Sequence, residues 1–346
     1  MTPESQVRDS GPNRPPSMAD VARLAGVSTQ TVSRALRGHQ YVTPTTRAKV
    51  IDAVTATGYR MNSAARALSS GRTHTIGVVT MATSSYAGAV TQLRIEQAAQ
   101  LHGYQILGTQ AATLERTTVA AAVARLEGRG VEGLILALPV DPWQSAAEAP
   151  TTTLPSVTIG GPTGGRHAAL AVDQEQVARL ATDHLLALGH RNVQLVAGPQ
   201  DWADSARRSE GWQNSLIGAG RKVPTPIRGD WTPESGYQAG LVLGKDPSVT
   251  AIFAASDDMA FGTIRALHEL GRRVPHDVSV VGVDDIALAA YCNPALTTVA
   301  QPFTALTAAA VEHVVALIED VDPPAAPDLT PELVLRASTA PPPHGD

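Results

Sequence analysis

The first segment after residue 17 has the pattern of a short amphipathic helix. Ser17 and Asp20 have the spacing of a capping box, in which a hydroxyl and a carboxylate bind free backbone N–H groups at a helix start. The apolar positions that would form its buried face are Met18, Val21, Ala22, Leu24 and Ala25. We therefore predict a helix that begins at Met18 and ends before the flexible Gly26.

Two further helices are predicted directly after the first. Ser28 is a suitable N-cap for a helix that continues to about Leu36. Thr43 followed by Pro44 indicates the start of a third helix, because proline fits the first helical position. The inward positions of this third helix are predicted to be Val50, Ile51 and Val54. Helix, glycine turn and helix together favour a helix-turn-helix with a third supporting helix.

The hydrophobic pattern changes at Thr75. Short runs rich in β-branched residues alternate from there with amphipathic stretches, which predicts βαβ units and parallel sheets with helices on both faces. The predicted strands lie at residues 76–79, 105–107, 133–136, 156–159, 193–196, 251–253 and 278–282. Roughly 270 residues of this alternation exceed one doubly wound sheet, so we expect two lobes with a ligand cleft between them.

Charge separates the two regions. Residues 18–72 carry a formal charge of +6, whereas the residues after Arg72 carry −11. A cationic head on an acidic body favours a polyanionic partner for the head alone, since attraction to phosphates is local. A merely solvated pair of basic helices would have the same charge, so charge does not decide between them.

Several function classes are disfavoured. No run approaches the roughly 18 apolar residues of a membrane helix, and the polar start has no apolar signal region, so we expect a cytoplasmic protein without a membrane partner. The single Cys292 excludes an internal disulfide framework. The histidines have no metal-binding spacing, and the glycines at 160–165 lack a phosphate-loop ending, so we predict no enzyme, no metal and no cofactor.

The second predicted helix carries the side chains that a DNA-reading helix needs in its first turns. Glutamine can bond adenine through two hydrogen bonds and arginine can bond guanine in the same way, while serine and threonine bond bases or phosphates. The candidate DNA-binding residues here are Ser28, Thr29, Gln30, Thr31, Ser33 and Arg34. Each alone could be an ordinary surface residue, but the cap, the turn and the charge favour the DNA-binding interpretation.

The run Asp20-Val-Ala-Arg-Leu-Ala-Gly-Val-Ser-Thr-Gln-Thr-Val-Ser-Arg34 resembles the signature of the LacI/GalR family. Similar segments continue in order along nearly the whole chain, including residues 42–47, 185–190, 206–212, 257–260 and 280–285. The resemblance implies an N-terminal three-helix helix-turn-helix domain plus hinge helix, followed by an α/β two-lobed periplasmic-binding-protein-like (type I) domain with doubly wound parallel sheets.

The boundaries expected from pattern and resemblance are as follows. A leader spans 1–17, the DNA-binding domain 18–60, the hinge helix and linker 61–73, the N-terminal lobe 74–172 plus 303–330, the C-terminal lobe 173–302 plus 331–340, and the tail 341–346. The resemblance also implies that the hinge helix folds on DNA, where Leu68 wedges into the minor groove and Asn62 and Ala65 make close contacts. Because one head offers few base contacts, we expect a homodimer on a pseudo-palindromic double-stranded DNA operator.

The same resemblance implies a small-molecule sugar effector between the lobes. The residues at the positions of the family's inducer site are Arg208, Trp231, Ser256, Asp284, Gln301 and Phe303. Trp231 and Phe303 would supply apolar walls, and the polar members would bind hydroxyls. Gly160 and Ser256 depart from the galactoside-binding pattern, so the effector is left as a galactoside or another glycoside.

These features predict a transcriptional repressor whose operator affinity is controlled allosterically by the sugar. Two alternative functions fit part of the sequence. A sugar-binding protein without a DNA role would share the two-lobed body, but the basic head and the polar start argue against it. An enzyme acting on sugars or nucleotides is disfavoured because no catalytic constellation is present.

Overall fold

The chain folds into two compact units, Met1–Thr73 and His74–Asp346. The structure is a computed structural model, and it describes residues 15–36, 41–59, 71–81, 86–113, 115–138, 152–160 and 168–343. None of the helices within these ranges is long and apolar enough to span a membrane.

The first unit contains three helices, α1 (Met18–Ala25), α2 (Thr29–Leu36) and α3 (Pro44–Thr57). The Asp20 carboxylate accepts a hydrogen bond from the Ser17 backbone N–H at 2.9 Å, and Gly26 ends α1 with a φ of 66°. The Thr43 hydroxyl accepts the N–H of Thr46 at 3.3 Å at the start of α3. These caps explain why the predicted helix starts are found in the structure.

A small apolar core joins the three helices. Its fully buried centre consists of Val21 of α1, Val32 of α2 and Val50 of α3. Two predicted core positions are wrong, since Leu24 is 58% exposed and Ile51 is 52% exposed. Successive residues of a helix are about 100° apart around its axis, and both side chains fall outside the narrow apolar stripe of their helices. The buried face predicted for each helix was therefore too wide.

The second unit begins with a five-stranded parallel sheet, called here the first sheet. Its elements in chain order are β1 (Thr75–Met81), α4 (Tyr86–Leu101), β2 (Gln105–Ala111), α5 (Arg116–Glu127), β3 (Gly133–Ala137), β4 (Ser156–Ile159) and β5 (Ala168–Leu170). The strand order is β2-β1-β3-β4-β5. All of these neighbours pair in parallel.

The second sheet has six strands, and its elements follow β5 along the chain. They are α6 (Gln174–Ala187), β6 (Val193–Ala197), α7 (Ala203–Gly218), β7 (Ile227–Arg228), α8 (Pro233–Leu243), β8 (Ala251–Ala254), α9 (Asp257–Glu269), β9 (Ser279–Val283), a 3₁₀ turn (Ala287–Ala290), β10 (Thr297–Ala300), α10 (Phe303–Ile318) and β11 (Glu332–Val334). The order is β11-β10-β9-β8-β6-β7, and only the β10–β11 pair is antiparallel.

The chain passes between the two sheets more than once. Helix α10 follows β10 in sequence but packs on β3, β4 and β5 of the first sheet, and β11 then returns to the second. The fold class is therefore confirmed: one unit consists of three helices, and the other contains two doubly wound sheets. Residues 60–70, where the hinge helix was predicted, lie outside the described residues. The short strands β5, β7, β10 and β11 are not among the predicted strands.

Candidate nucleic-acid interface and effector cavity

Helix α2 presents one polar face away from the core of the first unit. Val32 and Ala35 are buried and fix the inner face of the helix. The opposite side carries the predicted DNA-binding residues, of which Ser28, Thr29, Gln30 and Arg34 are exposed and Thr31 and Ser33 are partly buried. The planar amide of Gln30 and the guanidinium of Arg34 are one helical turn apart, so both can address neighbouring base edges.

Ser28 has a second role at the start of α2. Its hydroxyl accepts the backbone N–H of Thr31 at 3.1 Å and lies 2.9 Å from the Thr31 hydroxyl. Ser28, which was predicted to bind DNA, therefore caps the helix that carries the other predicted DNA-binding residues. The predicted hinge residues Asn62, Ala65 and Leu68 lie outside the described residues.

A cavity that opens to solvent lies at the carboxyl ends of the first sheet's strands. The strand ends contribute Thr80, Met81, Ala137, Leu138, Ile159 and Gly160. The polar wall consists of Gln174, Asp204, Arg208 and Gln301, and the aromatic part of Trp202 and Phe303. Both lobes of the second unit thus contribute to one site.

Arg208 of α7 is the central cation of this wall, and its side chain is almost fully buried. Its Nε donates to the Gln174 side-chain oxygen at 2.8 Å, and its Nη1 donates to the backbone carbonyl of Ala255. The guanidinium also lies over the ring of Trp231, 5.4 Å from its centroid. Two hydrogen bonds and an aromatic face hold the guanidinium in one orientation at the cavity.

A chain of side-chain hydrogen bonds continues from Arg208. The Gln174 amide donates to the Gln301 oxygen at 2.9 Å, and the Gln301 amide donates to Asp284 Oδ1 at 2.6 Å. Gln174 begins α6 and Gln301 follows β10, so each amide belongs to a segment that crosses between the two lobes. The hydrogen bonds therefore connect the cavity wall to both crossing segments.

Three of the six predicted effector residues, Arg208, Gln301 and Phe303, line the cavity. The other three lie behind that wall. Asp284 accepts a hydrogen bond from the wall residue Gln301, and the Trp231 ring packs against the guanidinium of Arg208. The Ser256 hydroxyl caps α9 by accepting the N–H of Met259 at 3.2 Å, so its side chain already has a structural role.

Trp231 and Asp284 are held in uncommon backbone conformations. Their φ angles are 72° and 110°, in the region that favours glycine. Gly198 makes room for the Trp231 ring, because a Cβ at that position would overlap its six-membered ring. The buried Trp231 Nε1 has no hydrogen-bond partner among the described residues. Backbone strain and an unsatisfied buried donor are features that often accompany ligand sites.

Electrostatics at the site are dominated by carboxylates. Burial raises the pKa of Asp284 to about 6, against the opposing effects of the Arg208 guanidinium and the Gln301 hydrogen bond. Burial also raises the pKa of Asp204, and Arg208 again acts in the opposite direction. The nearby Asp257 is fully buried, and desolvation raises its pKa well above the usual value despite a 2.6 Å hydrogen bond from Thr298.

Three residues of the cavity wall were not predicted from the sequence: Gln174, Trp202 and Asp204. Trp202 lies 5.7 Å from Trp231 between ring centroids, so the two indoles form one aromatic corner next to Arg208. Trp202 directly precedes α7 and Asp204 lies in its first turn, after the carboxyl end of β6. Because ligands in such folds bind at the carboxyl ends of strands, that position was the available signal.

Two family models match the chain. Residues 17–62 match the model described as "Bacterial regulatory proteins, lacI family", and residues 182–339 match a "Periplasmic binding protein-like domain". The HTH-type transcriptional regulator CelR of Thermobifida fusca is 37% identical over 313 residues, covering 84% of this chain and 88% of CelR. The chain belongs to the LacI family. As a LacI-family member it is a transcriptional regulator, and the prediction that it is not an enzyme is confirmed by the functions of its relatives.

Solved structures of LacI-family members superimpose over nearly the whole chain. A lac repressor dimer bound to operator and the anti-inducer ONPF has a TM-score of 0.84 at 31% identity, covering 94% of this chain and 100% of that one. A complex of the transcriptional regulator CelR with cellobiose has a TM-score of 0.68 at 31% identity, covering 93% and 99%. The predicted family and fold are thereby confirmed.

Proposed function

We propose that this LacI-family regulator is a repressor that binds a pseudo-palindromic DNA operator as a homodimer and releases it when a small sugar binds in the cavity. One observation supports this proposal above the others. A polar, cationic recognition helix and a solvent-open cavity with aromatic and polar walls occur in one chain. The protein would act in the bacterial cytoplasm, on the nucleoid when bound to its operator.

On the DNA side, Gln30 and Arg34 would make the base contacts that specify sequence. Thr29, Thr31 and Ser33 would contribute bonds to bases or phosphates, and Ser28 would mainly hold the helix start. Asn62, Ala65 and Leu68 are proposed to contact the minor groove from the hinge. The lac repressor bound to operator as a dimer supports the two-half-site arrangement by family membership.

On the effector side, the aromatic faces of Trp202 and Phe303 would stack on C–H surfaces of a sugar ring, with Trp231 behind them. Arg208 and Gln301 would bind hydroxyls, and Asp284 would orient Gln301. Ser256 would act through the start of α9. A galactoside or another glycoside fits this chemistry, and the cellobiose complex of CelR makes cellobiose the first probe.

A sugar-binding protein without a DNA role would need no recognition helix. The match of residues 17–62 to the regulatory-protein family model therefore favours the repressor over this second candidate.

The test begins with selection of duplexes from a random pool by the full-length protein, followed by operator-release assays with mono- and disaccharides. We expect a two-fold symmetric site and at least one sugar that releases it. Arg34→Ala should relax the base preference, while Arg23→Ala, which removes an equal charge from an exposed ion pair on α1, should weaken all duplexes alike. Binding without sequence preference, or release by no sugar, would refute the proposal.

A further inference from the structure

The charges around the cavity do not balance. Among the described residues that line it, Asp204 and Arg208 are the charged side chains, and Asp284 adds a second carboxylate directly behind Gln301. One guanidinium therefore faces two carboxylates. The guanidinium is also committed in part, because two of its nitrogens already donate to Gln174 and Ala255.

Asp204 differs from the other polar wall residues in its hydrogen bonding. Gln174, Gln301 and Arg208 bond to one another or to the backbone, whereas no hydrogen bond reaches the Asp204 carboxylate from the described part of the chain. Asp204 and Arg208 are four residues apart on α7, so their side chains lie on the same helix face. The carboxylate thus remains available as a hydrogen-bond acceptor in a partly desolvated site.

We infer that Asp204 is a specificity-determining residue that makes the cavity select an uncharged sugar and reject phosphorylated or acidic sugars. This inference rests on the proposed function and names the chemical class of its effector. An ionised carboxylate accepts hydrogen bonds and donates none, so sugar hydroxyls are suitable partners. A phosphate group offers acceptor oxygens but places about two more negative charges close to two carboxylates, in a site partly shielded from water whose one guanidinium is already partly committed.

The aromatic corner supports the same class of ligand. Trp202 lies two residues before Asp204, and its ring meets Trp231 at an interplanar angle of 57°. Hydroxyls that bond to Asp204 would therefore belong to a ring that can stack on Trp202. Trp231 Nε1, which has no partner in the described part of the chain, provides a donor but no positive charge that could hold a phosphate.

The experiment measures direct binding to the full-length protein by tryptophan fluorescence and calorimetry at pH 8. The probes are cellobiose, lactose, maltose and glucose, with glucose 6-phosphate and cellobiose 6-phosphate as charged counterparts. The variants are Asp204→Asn and Asp204→Ser, with Asp201→Asn as the matched control on the exposed turn before α7. Melting curves verify that each variant is folded.

In the wild type we expect a neutral sugar to bind at least about a hundredfold more tightly than its 6-phosphate. The two carboxylates repel the phosphate, and the expected cost is that of losing two charge-assisted contacts of ordinary strength. Asp204→Asn should lower the affinity for the neutral sugar by about tenfold or more, and it should reduce the ratio between the affinities for the neutral and the phosphorylated sugar. Asp201→Asn should change neither quantity. Tighter binding of a phosphorylated sugar, no binding of any neutral probe, or an unchanged ratio in folded Asp204 variants would overturn the inference. A neutral sugar that binds but leaves operator affinity unaltered would instead contradict the proposed function and leave this inference intact.

Discussion

Replacement of Arg208 by lysine is the most informative perturbation of the cavity, because it preserves the charge and removes the geometry. The arginine is 4% exposed, and its planar guanidinium bonds Gln174 and the Ala255 carbonyl while it lies over Trp231. A lysine ammonium is a point charge on a flexible stem and cannot make both bonds and cover the ring at once. The exposed neighbour Arg207 offers a matched control.

The magnitude follows from these contacts. Each hydrogen bond of a charged group contributes about 1.5 to 3 kcal/mol, and the aromatic contact adds about 0.5 to 2 kcal/mol. Because lysine regains one of the bonds, the loss is one hydrogen bond and the aromatic contact, and we expect Arg208→Lys to lower the free energy of unfolding by about 2 to 5 kcal/mol. Arg207 is 57% exposed in its pairs with Glu175 and Glu210, so Arg207→Lys should cost about 0.5 kcal/mol or less.

Urea denaturation followed by tryptophan fluorescence measures the stability of both variants, and calorimetry measures their affinity for the sugar that releases the operator. Arg208→Lys should lower the sugar affinity by about tenfold or more, because the lysine ammonium is not held in the orientation that donates a charged hydrogen bond to a sugar hydroxyl. Operator binding without sugar should be retained. If Arg208→Lys behaves like Arg207→Lys in both measurements, the assignment of the guanidinium to the effector site is refuted.

Three further predictions concern the same unit. Since burial raises the pKa of Asp284 to about 6 and its ionised form accepts the Gln301 amide, sugar affinity should fall as pH decreases through 6, and a flat titration profile from pH 7.5 to 5 would contradict this. Gly198→Ala should displace the Trp231 ring, shift its fluorescence and weaken sugar binding, whereas Gly218→Ala, where a Cβ meets nothing within 4 Å, should have no such effect. His190 is buried, and desolvation lowers its pKa, so the unfolded state takes up the proton first and stability should be lost as pH falls below about 6.5; a melting temperature that falls as steeply in His190→Gln as in the wild type would exclude this contribution.

Local signals in the sequence predicted much of the architecture. The capping residues of α1 and α3 act within one helical turn, and the runs that form β1, β3 and β9 are apolar on both faces, so neighbours along the chain were sufficient. Strands β7 and β11 were not predictable in this way, because segments of two and three residues show no periodicity. They form because an existing sheet offers an edge to pair with.

The cavity was predictable only in part. Arg208, Gln301 and Phe303 came from a family resemblance, whereas Gln174 is brought to Arg208 across 34 positions of sequence by the crossing of the chain between lobes. No local pattern marks such a contact. Asp204 was not predicted either. A carboxylate in the first turn of a helix is common because the helix dipole favours it, so its position does not indicate a ligand site.

In the proposed mechanism, binding of a sugar in the cavity controls the affinity of the three-helix unit for its DNA operator. The most direct test of this mechanism is a thermodynamic cycle in which calorimetry measures sugar affinity with and without the selected operator, and fluorescence anisotropy measures operator affinity with and without the same sugar. Linkage requires both affinities to fall by the same factor, and we expect about 5-fold to 150-fold. Sugar affinity that is identical in the presence and absence of operator would contradict the account.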